Sequence, residues 1–121
     1  MKVITIAPCK KPVVEEIDPG LESLQSKVGG YIEAIYPFPD SVALVCNDDG
    51  KLMCLPYNRC LKDDDGMVYD IVAGTFLIVG IDGCDFCSLT EELTEKYLEK
   101  FMWPELFIPT ENGLAIIPIL G

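Results

Sequence analysis

Hydrophobic and polar positions along this chain alternate between two periods, and the places where the period changes divide it into elements. Lys2 to Ala7 (KVITIA) is dense in β-branched residues and predicts a strand, with Pro8 and Pro12 bounding a basic turn at Lys10 and Lys11. Val13 to Ile17 predicts a second short strand. Asp18-Pro19-Gly20 reads as a helix start, Asp18 as N-cap and Pro19 at the first helical position, where its missing N–H costs nothing. That helix covers Leu21 to Val28 and stops at Gly29, which can take the left-handed capping conformation. From Gly30 strict alternation sets in, with Tyr31, Glu33 and Ile35 facing one way and Ile32, Ala34 and Tyr36 the other, up to the breaker Pro37-Phe38-Pro39. Ser41 to Cys46 predicts the next strand. Asn47-Asp48-Asp49-Gly50 predicts a hairpin turn into Lys51 to Cys54, so these runs together read as an antiparallel meander.

Pro56 to Leu61 is too short for a full helix and predicts a single turn before the acidic loop Asp63-Asp64-Asp65-Gly66. Met67 to Tyr69 and Ile71 to Val79 return to a strand pattern, the second apolar enough to be the most buried strand, with Gly74 marking a bulge or a close backbone approach. After a turn at Asp82-Gly83, Ser88-Leu89-Thr90-Glu91 fits the capping box. A second helix should run from Leu89 to about Met102, burying Leu93, Tyr97, Leu98 and Phe101, and Pro104 stops it. The tail from Leu106 to Leu120 is too apolar for open water and turns at Asn112-Gly113, which predicts an edge strand, a hairpin or a cover for a partner chain. The pattern gives one α+β domain over residues 1–121: an antiparallel sheet of about five strands with two helices packed against it, a core over 17–104 and an apolar C-terminal extension over 105–121.

Composition sharpens this. A chain of 121 residues, 50% hydrophobic and 24% charged, has the size and make-up of one folded domain. Its formal charge of −11 argues against direct nucleic-acid binding, which needs Lys and Arg to displace counterions. The acidity serves solubility, or else forms a face that docks on a basic partner surface by resembling nucleic acid. Six cysteines follow no leader-like segment at Met1, so the expected setting is a reducing cytoplasm with free thiols. The longest apolar run, near Ile71 to Ile81, is about half of what a bilayer span needs, so no membrane span is expected.

Candidate chemistry is sparse. Cys84-x-x-Cys87 is the first spacing to notice, but zinc needs four ligands, the chain has no histidine, and Cys9, Cys46, Cys54 and Cys60 offer no second paired spacing. The pair sits just before the predicted helix cap at Ser88, where a thiol could be activated, yet no βαβ context surrounds it. The cysteines read as ordinary small apolar residues, and no metal or cofactor is expected. Asp63, Asp64 and Asp65, with Asp48, Asp49, Asp82 and Asp85, match no EF-hand spacing and read as solvated turns. With no catalytic signature anywhere, the expectation is that the chain is not an enzyme. The most specific feature is Leu55-Pro56-Tyr57-Asn58-Arg59, which holds the only arginine. In one reading Tyr57, Asn58, Arg59 and Thr75 build a small pocket for an anionic ligand, using this turn and the Gly74-Thr75 bend. In the other, Arg59 ties down its own acidic loop through Asp63 to Asp65 or Asp70.

Gly29-Gly30-Tyr31-Ile32-Glu33, Asn47 to Leu52, Leu55 to Arg59, Asp70 to Phe76 and Phe86 to Thr90 before an acidic helix together resemble, from about Ile17 to Pro104, an uncharacterised family catalogued as domain of unknown function 3846. The resemblance implies an accessory protein of a phage or mobile element in the host-cell cytoplasm, and it carries over no catalytic residue. The expected function is non-catalytic counter-defence, sequestering a small anionic, nucleotide-like immune signal. The alternative is an acidic mimic of nucleic acid that blocks a basic channel in a host defence protein such as a restriction or CRISPR effector. The expected partner is that ligand or that host protein, with a homo-oligomer through the C-terminal extension as a further possibility.

Overall fold

The computed structural model describes residues 1–120. The elements are β1 (Lys2–Ile6), β2 (Val13–Glu16), α1 (Leu21–Val28), β3 (Ile32–Ile35), β4 (Val42–Asn47), β5 (Tyr57–Lys62), β6 (Val68–Ala73), β7 (Phe76–Asp82), β8 (Asp85–Cys87), α2 (Glu91–Lys100), β9 (Glu105–Thr110) and β10 (Gly113–Pro118). The main sheet runs β2-β1-β7-β4-β3, with β8 also paired to β7, and every pairing in it is antiparallel. β5-β6 and β9-β10 are separate two-stranded hairpins. The α+β class therefore holds, and the main path has the five strands expected, but their identities differ from the expected meander.

Two departures account for that. Lys51 to Cys54 is not a strand: Asp49 N–H donates to Asn47 Oδ1 at 2.8 Å, and Met53, Cys54 and Leu55 N–H donate back to Asp49, Lys51 and Gly50 carbonyls, coiling the segment into consecutive turns. The local side-chain acceptor wins because Leu52 and Met53 find no core to enter and stay exposed. The run Ile71 to Val79 is also not one strand. At Gly74 the backbone takes φ +82°, Gly74 N–H donates to Pro56 O at 2.7 Å, and the chain leaves the β5-β6 hairpin to enter the main sheet as β7. The positive φ calls for glycine, and a Cβ there would also stand 2.7 Å from Leu55 Cδ1 and force that side chain to move.

β7 lies between β1 and β4, and its alternate side chains feed two cores. Phe76 and Ile78, with Ile4, Ile6, Val42 and Leu44, pack under α2 and the β5-β6 hairpin through Tyr97, Phe101, Leu61 and Val72. Leu77 and Val79, with Val3, Ala43 and Val45, pack under α1 through Leu24. Burial on both faces is why the β7 sequence is continuously apolar rather than alternating.

The helix starts differ from expectation. α1 covers Leu21–Val28 as expected, but its N-cap is Gly20, with no side-chain cap, rather than Asp18. α2 is capped by Thr90, whose Oγ1 accepts from Leu93 N–H at 3.3 Å. Ser88 Oγ instead accepts from Lys2 N–H at 2.9 Å, because the β7-β8 pairing carries Ser88 to the start of β1.

Beyond Pro104 the chain forms the expected hairpin. Ile119 N–H donates to Pro104 O, which fixes the hydrogen-bonded parity of β9-β10 and leaves Pro109 and Pro118 in the other pairs, their nitrogens facing outward. A proline on each edge removes a donor that strand addition would use. Leu106, Ile108, Ala115 and Ile117 share one face of this hairpin, and the three larger side chains on it are exposed.

Candidate functional site

The segment expected to make a turn at Pro56 to Leu61 is strand β5, and a register shift between Tyr57 and Arg59 turns two successive side chains, Asn58 and Arg59, into the interior. Arg59 is 1% exposed and Asn58 is fully buried. Arg59 Nη2 donates to Lys10 O at 2.7 Å and to Phe101 O at 3.0 Å, while Nη1 donates to Asn58 Oδ1 at 2.9 Å and Asn58 O at 3.3 Å. Asn58 Nδ2 in turn donates to Ile6 O at 2.8 Å and Gly74 O at 2.9 Å. The two side chains thus join β1, the β1-β2 turn, the Gly74 bend and the end of α2. Among the described residues no carboxylate lies within ion-pair distance of Arg59. Its charge meets carbonyl dipoles, including the C-terminal end of α2, where a cation is favoured. Burial lowers the guanidinium pKa, and the nearby Glu105 carboxylate works in the opposite direction.

These positions correct the second sequence reading. Asp70 pairs with Lys51 at 2.6 Å, and Asp63 Oδ1 accepts from Asp65 and Met67 N–H, so neither serves Arg59. The first reading is also redrawn. Asn58 reaches the Gly74-Thr75 bend, but through Gly74 O; Thr75 is half-buried, and Tyr57 lies exposed against the edge of Phe107 at 5.5 Å between ring centroids. The four residues do not surround one cavity.

Arg59 does line a different one. A cleft of about 110 Å³ opens between β5, β6 and the end of α2, walled by Phe38, Tyr69 and Phe101 and bearing Arg59, Lys62, Lys100 and Glu105. Arg59 Nε is the one buried side-chain nitrogen or oxygen without a hydrogen-bond partner among the described residues. Three of the chain's nine basic residues therefore meet at one cleft of a protein whose net charge is −11. At its lip the Glu105 Oε1 accepts from Cys60 N–H at 2.7 Å, and Oε2 lies 3.7 Å from Cys60 Sγ. Burial, reinforced by that carboxylate, pushes the Cys60 thiol up to about 11. Lys62, Lys100 and Glu105 carry no sequence signal for this role, since β5, the last turn of α2 and the start of β9 meet only in the fold.

A second cleft, of about 230 Å³, is acidic: Glu33, Asp48, Asp49 and Asp70 stand around Lys51, over a wall that includes Cys46. Burial, then Asp48 and Asp70, raises the Glu33 pKa. A raised carboxyl pKa means that the folded chain holds the proton more tightly, so ionised Glu33 opposes folding and stability falls as pH rises through that window. Glu33→Gln is therefore expected to raise the urea midpoint at pH 7 and to lose that advantage below about pH 4, where unfolded glutamate is itself protonated. Among the described residues no group of three or more Cys, Asp or Glu is placed to hold a metal ion.

All six cysteines are free thiols. Cys84 lies in the exposed β7-β8 turn and Cys87 ends β8, so Cys87 does not sit at the N-terminus of α2, whose cap is Thr90. No described helix is long and apolar enough to cross a membrane.

The family model for a domain of unknown function, number 3846, matches residues 1–102. The chain belongs to this family. The match takes in β1 and β2 as well as the span from Ile17 onward, so the family domain begins earlier than the resemblance alone implied. No curated protein and no solved structure matches the chain. Asn58, Arg59, Lys62 and Lys100 all fall within the matched family domain, whereas Glu105 and the β9-β10 hairpin lie past its end.

Proposed function

We propose that the protein is a non-catalytic binding protein whose ligand presents a phosphate-like or carboxylate group to the cleft of Arg59, Lys62 and Lys100. The observation that carries this reading is the convergence of three cations, one of them buried with an unpartnered Nε, on a strongly acidic chain. A desolvated guanidinium with no carboxylate within ion-pair distance is a strong site for an anion. At about 110 Å³ the cleft is the size of one anionic group rather than a whole ligand, for which about 300 Å³ or more is usual. The remainder of the ligand would lie outside, where Tyr69 offers an exposed ring for stacking. A nucleotide fits this division, which supports sequestration of a nucleotide-like signal in the counter-defence setting that the family resemblance implies.

Calorimetric titration with inorganic pyrophosphate and a nucleoside diphosphate tests it. Binding that weakens with salt, and that Lys62→Glu/Lys100→Glu reduces by about a hundredfold while the protein still unfolds cooperatively in urea, is the expected result. No heat from the wild type at millimolar ligand would sink the reading. The acidic cleft supports a second one, docking on a basic partner protein, since Glu33, Asp48 and Asp70 crowd their charges. Reversing Asp48 and Asp49 to lysine should then abolish capture of that partner and leave pyrophosphate binding intact.

A further inference from the structure

The β9-β10 hairpin carries its own anion to the cationic cleft. Among the described residues the Glu105 carboxylate makes the only hydrogen bonds between β9-β10 and the rest of the chain, both to Cys60. Phe107 also packs edge-on against Tyr57, and Ala115 and Ile116 are half-buried. The remainder of the hairpin stands away from the two cores, with most of its residues exposed.

Cys60 N–H lies on β5, whose partner strand β6 covers the opposite edge, so this donor faces the cleft side unclaimed by any backbone carbonyl. An oxyanion is what it holds. Glu105 thereby occupies the place that a phosphate or carboxylate oxygen of a ligand would take, beside Arg59, Lys62 and Lys100. It also lies past the end of the family domain that supplies those three cations.

We propose that β9-β10 is a strap and Glu105 its plug: the anionic group of the ligand displaces the Glu105 carboxylate from Cys60 N–H, so that binding lifts the hairpin. This rests on the anion-binding reading above. Displacement costs the ligand the Glu105 contacts, and the apparent affinity is lower than the cleft would give alone by that factor. A hairpin hydrogen-bonded to the rest of the chain through one side chain, with most of its residues exposed, is the kind of weakly held element that such coupling requires.

The test compares wild type and Glu105→Gln, both full length, with inorganic pyrophosphate as the probe. Calorimetry should show Glu105→Gln binding about tenfold more tightly, because the amide loses the negative charge that competes with the probe. In the wild type, pyrophosphate should speed hydrogen exchange of the amides over 105–118 and raise alkylation of Cys60, read by peptide mass spectrometry apart from the exposed Cys9, Cys54 and Cys84. Equal affinities with unchanged exchange would overturn the strap and leave the anion site standing. Absence of binding by both proteins would overturn the two together. The exchange readout on the wild type does not depend on how well the variant folds.

Discussion

Arg59→Ala should lower the stability of the folded chain by about 3–5 kcal/mol, because it strands two buried acceptors, Phe101 O and Asn58 Oδ1, and a part-buried one, Lys10 O, that have lost a charged donor. Each such group costs on the order of 1–3 kcal/mol when left unpaired in the interior, and the loss is large against the roughly 5–15 kcal/mol that holds a domain together. The contacts lie far apart in sequence, so the β1-β2 turn and the end of α2 should loosen together. Urea unfolding with hydrogen exchange at both segments is the measurement. Arg59→Lys keeps the charge but not the planar fork that serves Asn58, Lys10 and Phe101 at once, and it should recover only part of the loss. A cost below about 1 kcal/mol for Arg59→Ala would show that water replaces the guanidinium and that Arg59 is not structural. The consequence for function is practical: loss of ligand binding in Arg59→Ala would not separate a lost contact from a lost fold, whereas among the described residues the Lys62 side chain makes no hydrogen bond or ion pair and that of Lys100 only a cation–π contact with Phe38 at 5.3 Å, so changes there cost the fold less.

Asn58→Leu should cost about 2–4 kcal/mol, the volume being kept while three polar partners are lost. Ile6 O and Gly74 O lose their donor, and Arg59 Nη1 loses its short acceptor. The Gly74 bend then has only the Gly74 N–H to Pro56 O bond to hold its left-handed backbone where β6 becomes β7. Since Asn58 and Arg59 share one bond, their losses should not add: a double-mutant cycle should return a coupling of about 1 kcal/mol or more. Additive losses would mean that the two side chains brace separate regions and that the Nη1 contact contributes little.

The secondary structure was readable wherever one local rule acted alone. β1, α1 with its Gly29 cap, β4 and the C-terminal hairpin stand close to where periodicity and turn residues put them. Reading failed where a distant partner outbid the local one. Ser88 looked like a helix cap and serves β1; Ile71 to Val79 looked like one strand and is two, because Pro56 O and Leu55 shape the Gly74 turn. Pro56 to Leu61 looked too short for a full helix and read as a single turn, and it became a strand because β6 lay beside it and a bulge hid Asn58 and Arg59.

The site divides in the same way. The sequence alone determined the class, the acidity and the singular arginine with its asparagine neighbour, since composition, period and residue chemistry are properties of the chain itself. Only the tertiary structure decided what the arginine faces: not its own acidic loop but the carbonyls of two remote segments on one side, and Lys62, Lys100 and Glu105 around a cleft on the other. The reason is physical. A buried charge is governed by the dipoles and charges within a few ångströms, and those come from β1-β2, α2 and β9, which no spacing along the chain connects to β5.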